Sequence, residues 1–374
     1  MKLKASLTVA LLVASLSTVG CKSKTEDVGG GGGNAVDPAS TPAGDSSTGG
    51  AAPVFSLAWS EYPSWSVFGV AHEMDLVNAE EGEMGTIEKQ YNVDIVLKEA
   101  GYDSCLNMFT SGNCDAVCMT NMDALIVSPG RDGVAVLPTS TSNGADACIV
   151  AGVESVDDLK NVETFGLKGT VSEYGFVRCL ETLGKDPAEF TFTNQDPAAA
   201  AVAMTQKQET HKSIMVWNPF VLQTLNDRPD AKVLFDSSSI PGEIVDMVVV
   251  GRDVLEKDGG DKFVQAVIAT FYQMNEELAK PETGDEVLVE LGKKFSNLGL
   301  DDMKKVVEQT KFYADAEAGL ALLTGEEFKT TMTTVEKFCV DQKLVEDPQY
   351  GFGEETGKKL LFSPAHLQTF KESK

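Results

Sequence analysis

Polar and aromatic side chains gather directly after the apolar, strand-like runs of this sequence. Trp59, Tyr62 and Trp65 follow the first run with Ser60 among them, and Thr120, Asn121 and Asp123 follow a later one. Ser142, Asn143 and Asp146 stand at the next break, and Ser172, Glu173 and Tyr174 open a helical pattern. Trp217 and Asn218 close a further run, while Glu243 and Asp246 lead into the last strong one. Aromatic faces stack on planar groups and attract cations, and carboxylates accept charge-assisted hydrogen bonds from N–H donors. Asp123, Asp146, Glu243 and Asp246 near one cleft therefore point to a cationic or NH-rich ligand, with Trp59 or Trp217 as a stacking face. Structural roles compete at each position. Trp59 and Trp65 could be core, Thr120 and Asn121 could cap the helix that follows them, and single carboxylates are commonly solvated. The stretch from Gly166 to Tyr174 offers the opposite chemistry, because Gly169 and Thr170 precede a helix start whose N–H groups could hold an anion or simply be capped.

Catalytic signals are missing. His72, His211 and His366 are scattered, and no serine sits in a Gly-x-Ser-x-Gly elbow, so a binding role without a cofactor is expected rather than an enzyme. Cys114 and Cys118 have no histidine nearby to complete a metal site. With Cys21 set apart, Cys105, Cys114, Cys118, Cys148, Cys179 and Cys339 remain, and six cysteines allow 15 pairings. Cys105 and Cys114 make a feasible local pair in an oxidising compartment.

The elements that must position these residues follow an alternation. Strand-like runs at Phe55 to Trp59, Val93 to Leu97, Ala116 to Met119 and Val134 to Leu137 alternate with helical patterns around Trp65 to Leu76 and Tyr102 to Thr110. Such alternation implies crossover units and a mainly parallel sheet. A second set holds strands at Thr164 to Leu167, Phe190 to Thr193, Ser213 to Val216 and Lys232 to Phe235. After the strong strand Ile244 to Val250, helical periodicity dominates, as at Asp261 to Leu278 and Glu326 to Cys339. The expectation is an α/β protein of two lobes with a helical C-terminal return. Lobe 1 would comprise 53–144 plus 246–374 and lobe 2 would comprise 145–245, with ligand between them at strand ends.

The chain begins Met1-Lys2-Leu3-Lys4, runs apolar from Ala5 to Leu16 and reaches Thr18-Val19-Gly20-Cys21. A basic start, a short apolar segment and small residues before a cut describe an export signal over 1–21, too short to span a bilayer. Residues 22–52 are dominated by Gly, Ser, Pro, Thr and Ala, which cannot bury enough apolar surface to order themselves, so they read as a tether. The net charge of −26 argues against nucleic acid or an anionic membrane surface as a partner.

Several stretches carry a family likeness. The Cys21 segment resembles a bacterial lipobox, with Thr18 where the pattern favours leucine, and implies a lipid anchor facing the periplasm or cell exterior. Thr120 to Leu125, Ser142 to Asp146, Ser155 to Lys160 and Val216 to Pro219 resemble the substrate-binding proteins of nitrate, taurine and sulfonate type ABC importers. Phe235 to Asp246 and Lys359 to Leu367 look like a subgroup associated with urea carboxylase regions. The likeness covers most of the chain from Phe55 onward. It departs from the subgroup at Glu173, where a Ser-His or Ser-small pair would be expected, and at Asn218-Pro219-Phe220, where Asn-Pro-Gln would be. The resemblance implies a type 2 periplasmic-binding fold that closes on a small solute and delivers it to a membrane permease, with guanidine or urea as the suggested ligand. Nitrate, taurine or another sulfonate, a thiamine precursor, or a sensory role beside a membrane receptor are the alternatives.

Overall fold

The computed structural model describes residues 51–294 and 298–374. The expected export signal, Cys21 and all but the last two residues of the tether lie outside the described residues. Ala51–Lys374 form one compact unit built on two sheets.

The strands in chain order are β1 (Val54–Trp59), β2 (Asp94–Glu99), β3 (Ala116–Thr120), β4 (Gly133–Ser142), β5 (Asp146–Ala151), β6 (Glu163–Gly166) and β7 (Thr191–Asn194). They continue as β8 (Ser213–Trp217), β9 (Ala231–Asp236), β10 (Val245–Gly251), β11 (Thr310–Phe312), β12 (Tyr350–Phe352) and β13 (Leu360–Phe362). One sheet runs β12-β13-β4-β10-β3-β1-β2 with β11 also beside β4, and the other runs β7-β6-β8-β5-β9. Every residue of β3, β8 and β10 is buried, as expected for apolar, β-branched strands covered on both faces by helices.

The sheets are mixed rather than mainly parallel. β1 pairs in parallel with β2 and β3, and β6 with β7 and β8. β10 runs antiparallel to β3 and β4, and β5 runs antiparallel to β8 and β9. These two strands are the ones that receive the chain as it passes from one sheet to the other, and a strand entering from the opposite sheet arrives in the reverse direction.

The two passages lie side by side. Ser142 Oγ and Ser237 Oγ are 2.7 Å apart, the Gly144 N–H donates to Ser237 Oγ at 2.8 Å, and the Ser142 N–H donates to the Ile244 carbonyl at 3.1 Å. Gly144 has φ of 101°, a conformation that a side chain strongly disfavours.

After β10 the chain is mostly helical. The longest helix, Gly260–Ala279, buries Phe263, Val267, Phe271 and Met274 along one stripe, with Phe263 stacked on Phe55 at 4.8 Å. The six cysteines of the described residues are buried and free, so Cys105 and Cys114 are not joined.

Candidate functional site

Each strand that ends between the sheets hands the chain to a segment bearing polar and aromatic groups. β1 ends at Trp59, and four residues later Pro63 starts the helix Pro63–Glu73, where proline costs no intrahelical hydrogen bond. This turn sets Tyr62 and Trp65 with ring centroids 4.8 Å apart. β2 ends at Glu99, and the helix Tyr102–Thr110 follows almost at once, placing Tyr102 stacked against Trp65 at 5.4 Å. β3 ends at Thr120, which caps the helix Asn121–Val127 by accepting the Asp123 N–H. The same hydroxyl donates to Asp123 Oδ2 at 2.7 Å, and Tyr102 Oη also donates there at 2.7 Å.

From the second sheet come Asp146, at the first position of β5, and Trp217, at the last position of β8. These two residues face each other across the ladder. Trp217 meets Tyr102 edge to face at 5.6 Å, so the aromatic row Tyr62, Trp65, Tyr102, Trp217 crosses from one sheet to the other.

Between the sheets these side chains line a narrow pocket. Tyr62, Trp65, Tyr102, Thr120, Ile244 and Asp246 line it from the first sheet's side, and Asp146, Val171 and Trp217 from the second's. Two carboxyls and four aromatic rings line it, and among the described residues no lysine, arginine or histidine does.

The carboxyls are poorly compensated. Asp146 is 2% exposed, its Oδ2 has no hydrogen-bond partner, and burial pushes its carboxyl up to about 7, against the opposing effect of the Ser142 hydroxyl. Asp123 is pushed up to about 6, again mainly by burial and despite Tyr102 and Thr120. Asp246 stands well above the usual carboxylate range through burial, with Asp146 adding to the effect. A row of hydroxyls leads to it. Ser64 Oγ lies 3.0 Å from Thr139 Oγ1 and 2.8 Å from Ser140 Oγ, and Ser140 Oγ donates to Asp246 Oδ2 at 2.5 Å. Burial also raises the Tyr62 hydroxyl, with Asp246 and Asp146 as further causes.

Of the residues singled out from sequence, Tyr62, Trp65, Asp146, Trp217 and Asp246 line the cavity together. Asp123 lies directly behind, holding Tyr102. Ser172 is buried beside the lining residue Val171, and its Oγ is unpartnered. The remaining four have other partners. Trp59 is core, seated against Gly69, where a Cβ would come within 2.9 Å of the indole. Asn121 fastens its helix to the head of β10, donating to the Glu243 carbonyl at 3.1 Å and accepting the Val245 N–H at 3.0 Å. Asn143 sits half-buried in the first passage, its N–H given to the Gln309 carbonyl at 2.8 Å. Glu243 is bound two-pronged by Arg178, at 2.8 and 2.9 Å, and accepts from Tyr174 Oη at 2.7 Å.

The helix start at Gly169 and Thr170 does not offer all its amides to an outside anion. The Gly169 N–H donates to Glu173 Oε2 at 2.8 Å, so the helix's own acid takes that place. Tyr102 was not singled out as a site residue. The rule that selects residues just after strand ends, applied to β2 as it was to β1 and β3, finds it.

A second, much wider cavity adjoins the first and shares Tyr102 and Trp217 with it. Glu61, Glu99, Asp103 and Asp196 line it, and among the described residues no basic one does.

No family model matches the chain, and no curated protein does either. Solved structures do match. The alkanesulfonate-binding protein SsuA from Xanthomonas axonopodis pv. citri, bound to MOPS, aligns at 17% identity and a TM-score of 0.62 over 79% of this chain and 95% of its own. The periplasmic aliphatic sulphonate binding protein SsuA from Escherichia coli aligns at 19% identity and 0.60 over 79% and 94%. A Candida albicans protein described as exhibiting the generic periplasmic binding protein structural fold aligns at 13% identity and 0.58 over 86% and 95%. Likeness at such identities speaks for architecture, and with the two mixed sheets and the enclosed space between them it establishes that this chain has the periplasmic-binding-protein fold.

Proposed function

We propose that this protein is an exported, lipid-anchored solute-binding protein of an ABC importer that captures a small, planar, NH-rich solute of guanidine or urea type and delivers it to a membrane permease. The observation that carries the ligand class is the cavity lining: buried carboxyls and aromatic rings with no basic side chain among the described residues. A buried carboxylate without a counter-charge is costly, and Asp146 and Asp246 respond by holding their protons. A bound cation would provide the missing counter-charge, while the rings would stack on its plane. The role is binding, with closure of 53–144 plus 246–374 onto 145–245 about the paired passages. Export and the anchor on Cys21 rest on the leader sequence, and the tether would keep the receptor near its permease.

The solved neighbours named for sulfonates make a sulfonate the competing ligand. Against it stands the absence of a lysine, arginine or histidine among the described lining residues, so a bound sulfonate would have no counter-charge there. Calorimetry with guanidinium, urea, taurine, methanesulfonate, nitrate and a thiamine precursor decides the matter. Binding of guanidinium or urea alone is expected. Binding of only the anions would refute the carboxyl-based assignment. Crosslinking in membranes separates a permease partner from a receptor.

A further inference from the structure

The cavity holds orphaned donors as well as orphaned acceptors. Trp65 Nε1 and Trp217 Nε1 are buried without a hydrogen-bond partner, as are Tyr62 Oη and Asp146 Oδ2. An indole N–H can only donate and an ionised carboxylate can only accept, so no single type of ligand atom satisfies both sets. The two indoles cannot readily turn away. Trp65 is stacked on Tyr102 at 14° between planes, and Trp217 is held edge to face on Tyr102 and tilted against Phe220 at 6.3 Å. Each side of the cleft supplies one carboxyl and one indole, Asp246 with Trp65 and Asp146 with Trp217.

Guanidinium carries donors alone and would leave both indole N–H groups unmet. From these orphaned groups we infer that the solute is amphiprotic: an NH-rich cationic group conjugated to a hydrogen-bond acceptor such as a carbonyl. The amidine or guanidine end faces the carboxyls and the acceptor faces an indole N–H. This rests on the cation-binding role proposed above and narrows its substrate class to acyl- or carbamoyl-guanidines and close relatives. Buried donors left unmet discriminate more strongly than a missing apolar contact, so an acceptor-bearing ligand gains selectivity as well as affinity.

The test is calorimetry on the full protein with carbamoylguanidine, N-acetylguanidine, guanidinium and methanesulfonate, using wild type and Trp217→Phe. Wild type should bind carbamoylguanidine or N-acetylguanidine about tenfold or more tighter than guanidinium, the order of one hydrogen bond to a charged ligand. Trp217→Phe keeps a ring but removes the N–H, and should shrink that preference toward unity. Comparing the two cations within one variant cancels any general loss of packing, and Trp65→Phe serves if Trp217→Phe does not fold. Guanidinium binding as tightly as the acylated compounds, or a preference unchanged in both variants, would overturn the inference while leaving the cation-binding role standing. Binding of methanesulfonate alone would overturn both.

Discussion

Asp146 lets the cost of the site be measured without knowing its ligand. Its carboxyl is raised from 3.8 to about 7, with burial as the largest cause, the Ser142 hydroxyl opposing and Asp123 adding. The sign follows from proton binding. Between the unfolded value and the folded one, the folded chain holds a proton that the unfolded chain has released, so folding stability falls as pH rises through about 4 to 7. A shift of roughly 3 units corresponds to about 4 kcal/mol lost by the time pH exceeds about 7. Asparagine has nearly the same shape and no charge at any pH. Asp146→Asn should therefore leave ligand-free stability unchanged below about pH 4 and raise it by up to about 4 kcal/mol above about pH 7. With an unfolding entropy of about 2.1 cal/mol/K per residue over roughly 320 residues, that is a Tm rise of about 6 °C. The assay is differential scanning calorimetry of both proteins across that pH range without ligand, paired with a guanidinium titration at the upper end. The variant should melt higher at high pH and bind guanidinium at least tenfold more weakly. A gain independent of pH, or a variant less stable than wild type at high pH, would refute the claim that a buried carboxyl is held there at the expense of stability.

Other consequences concern the cleft and its support. Guanidinium affinity should rise as pH increases through about 6 to 7, where Asp123 and Asp146 ionise, because the cation competes with their protons; calorimetry that shows affinity falling with pH would contradict this. The acidic outer cavity should speed cation capture, so Glu99→Gln with Asp103→Asn should lower the association rate roughly threefold to tenfold at low salt, with little change in dissociation, as read by stopped-flow tryptophan fluorescence. Glu243→Gln should cost about 1–3 kcal/mol in thermal unfolding by breaking the two-pronged contact with Arg178, while leaving the ranking of ligands unchanged. Thr120→Ala should cost about 1 kcal/mol as a lost helix cap and should weaken guanidinium binding as well, because the same hydroxyl holds Asp123.

Much of the fold was legible in the sequence because its strands are strong local signals. The runs at Phe55 to Trp59, Ser213 to Val216 and Ile244 to Val250 match β1, β8 and β10 within a residue or two at each end. The three-residue strands β11, β12 and β13 were not legible, since so few residues establish no periodicity and their pairing with one another and with β4 is decided far along the chain. The expected mainly parallel sheet is instead mixed, because β5 and β10 run antiparallel to their neighbours. Alternation of strands and helices predicts parallel neighbours, but both strands follow a passage between sheets instead of a helix on the same sheet.

The sequence by itself determined where chemistry-bearing residues sit along the chain. Tyr62, Trp65, Asp146 and Trp217 were singled out for standing at strand ends or at the break between strands, and they line the pocket, whereas Trp59, chosen on the same ground, packs into the core. Tertiary structure decided which of four similar carboxylates remain uncommitted. Glu243 and Asp246 stand three residues apart, yet Glu243 is taken by Arg178 and Tyr174 while Asp246 faces the cavity. Arg178 lies 65 residues away, and no local pattern encodes that pairing. Burial of the remaining carboxyls, and so their hold on protons and their demand for a cation, arises only where the two sheets enclose them from both sides.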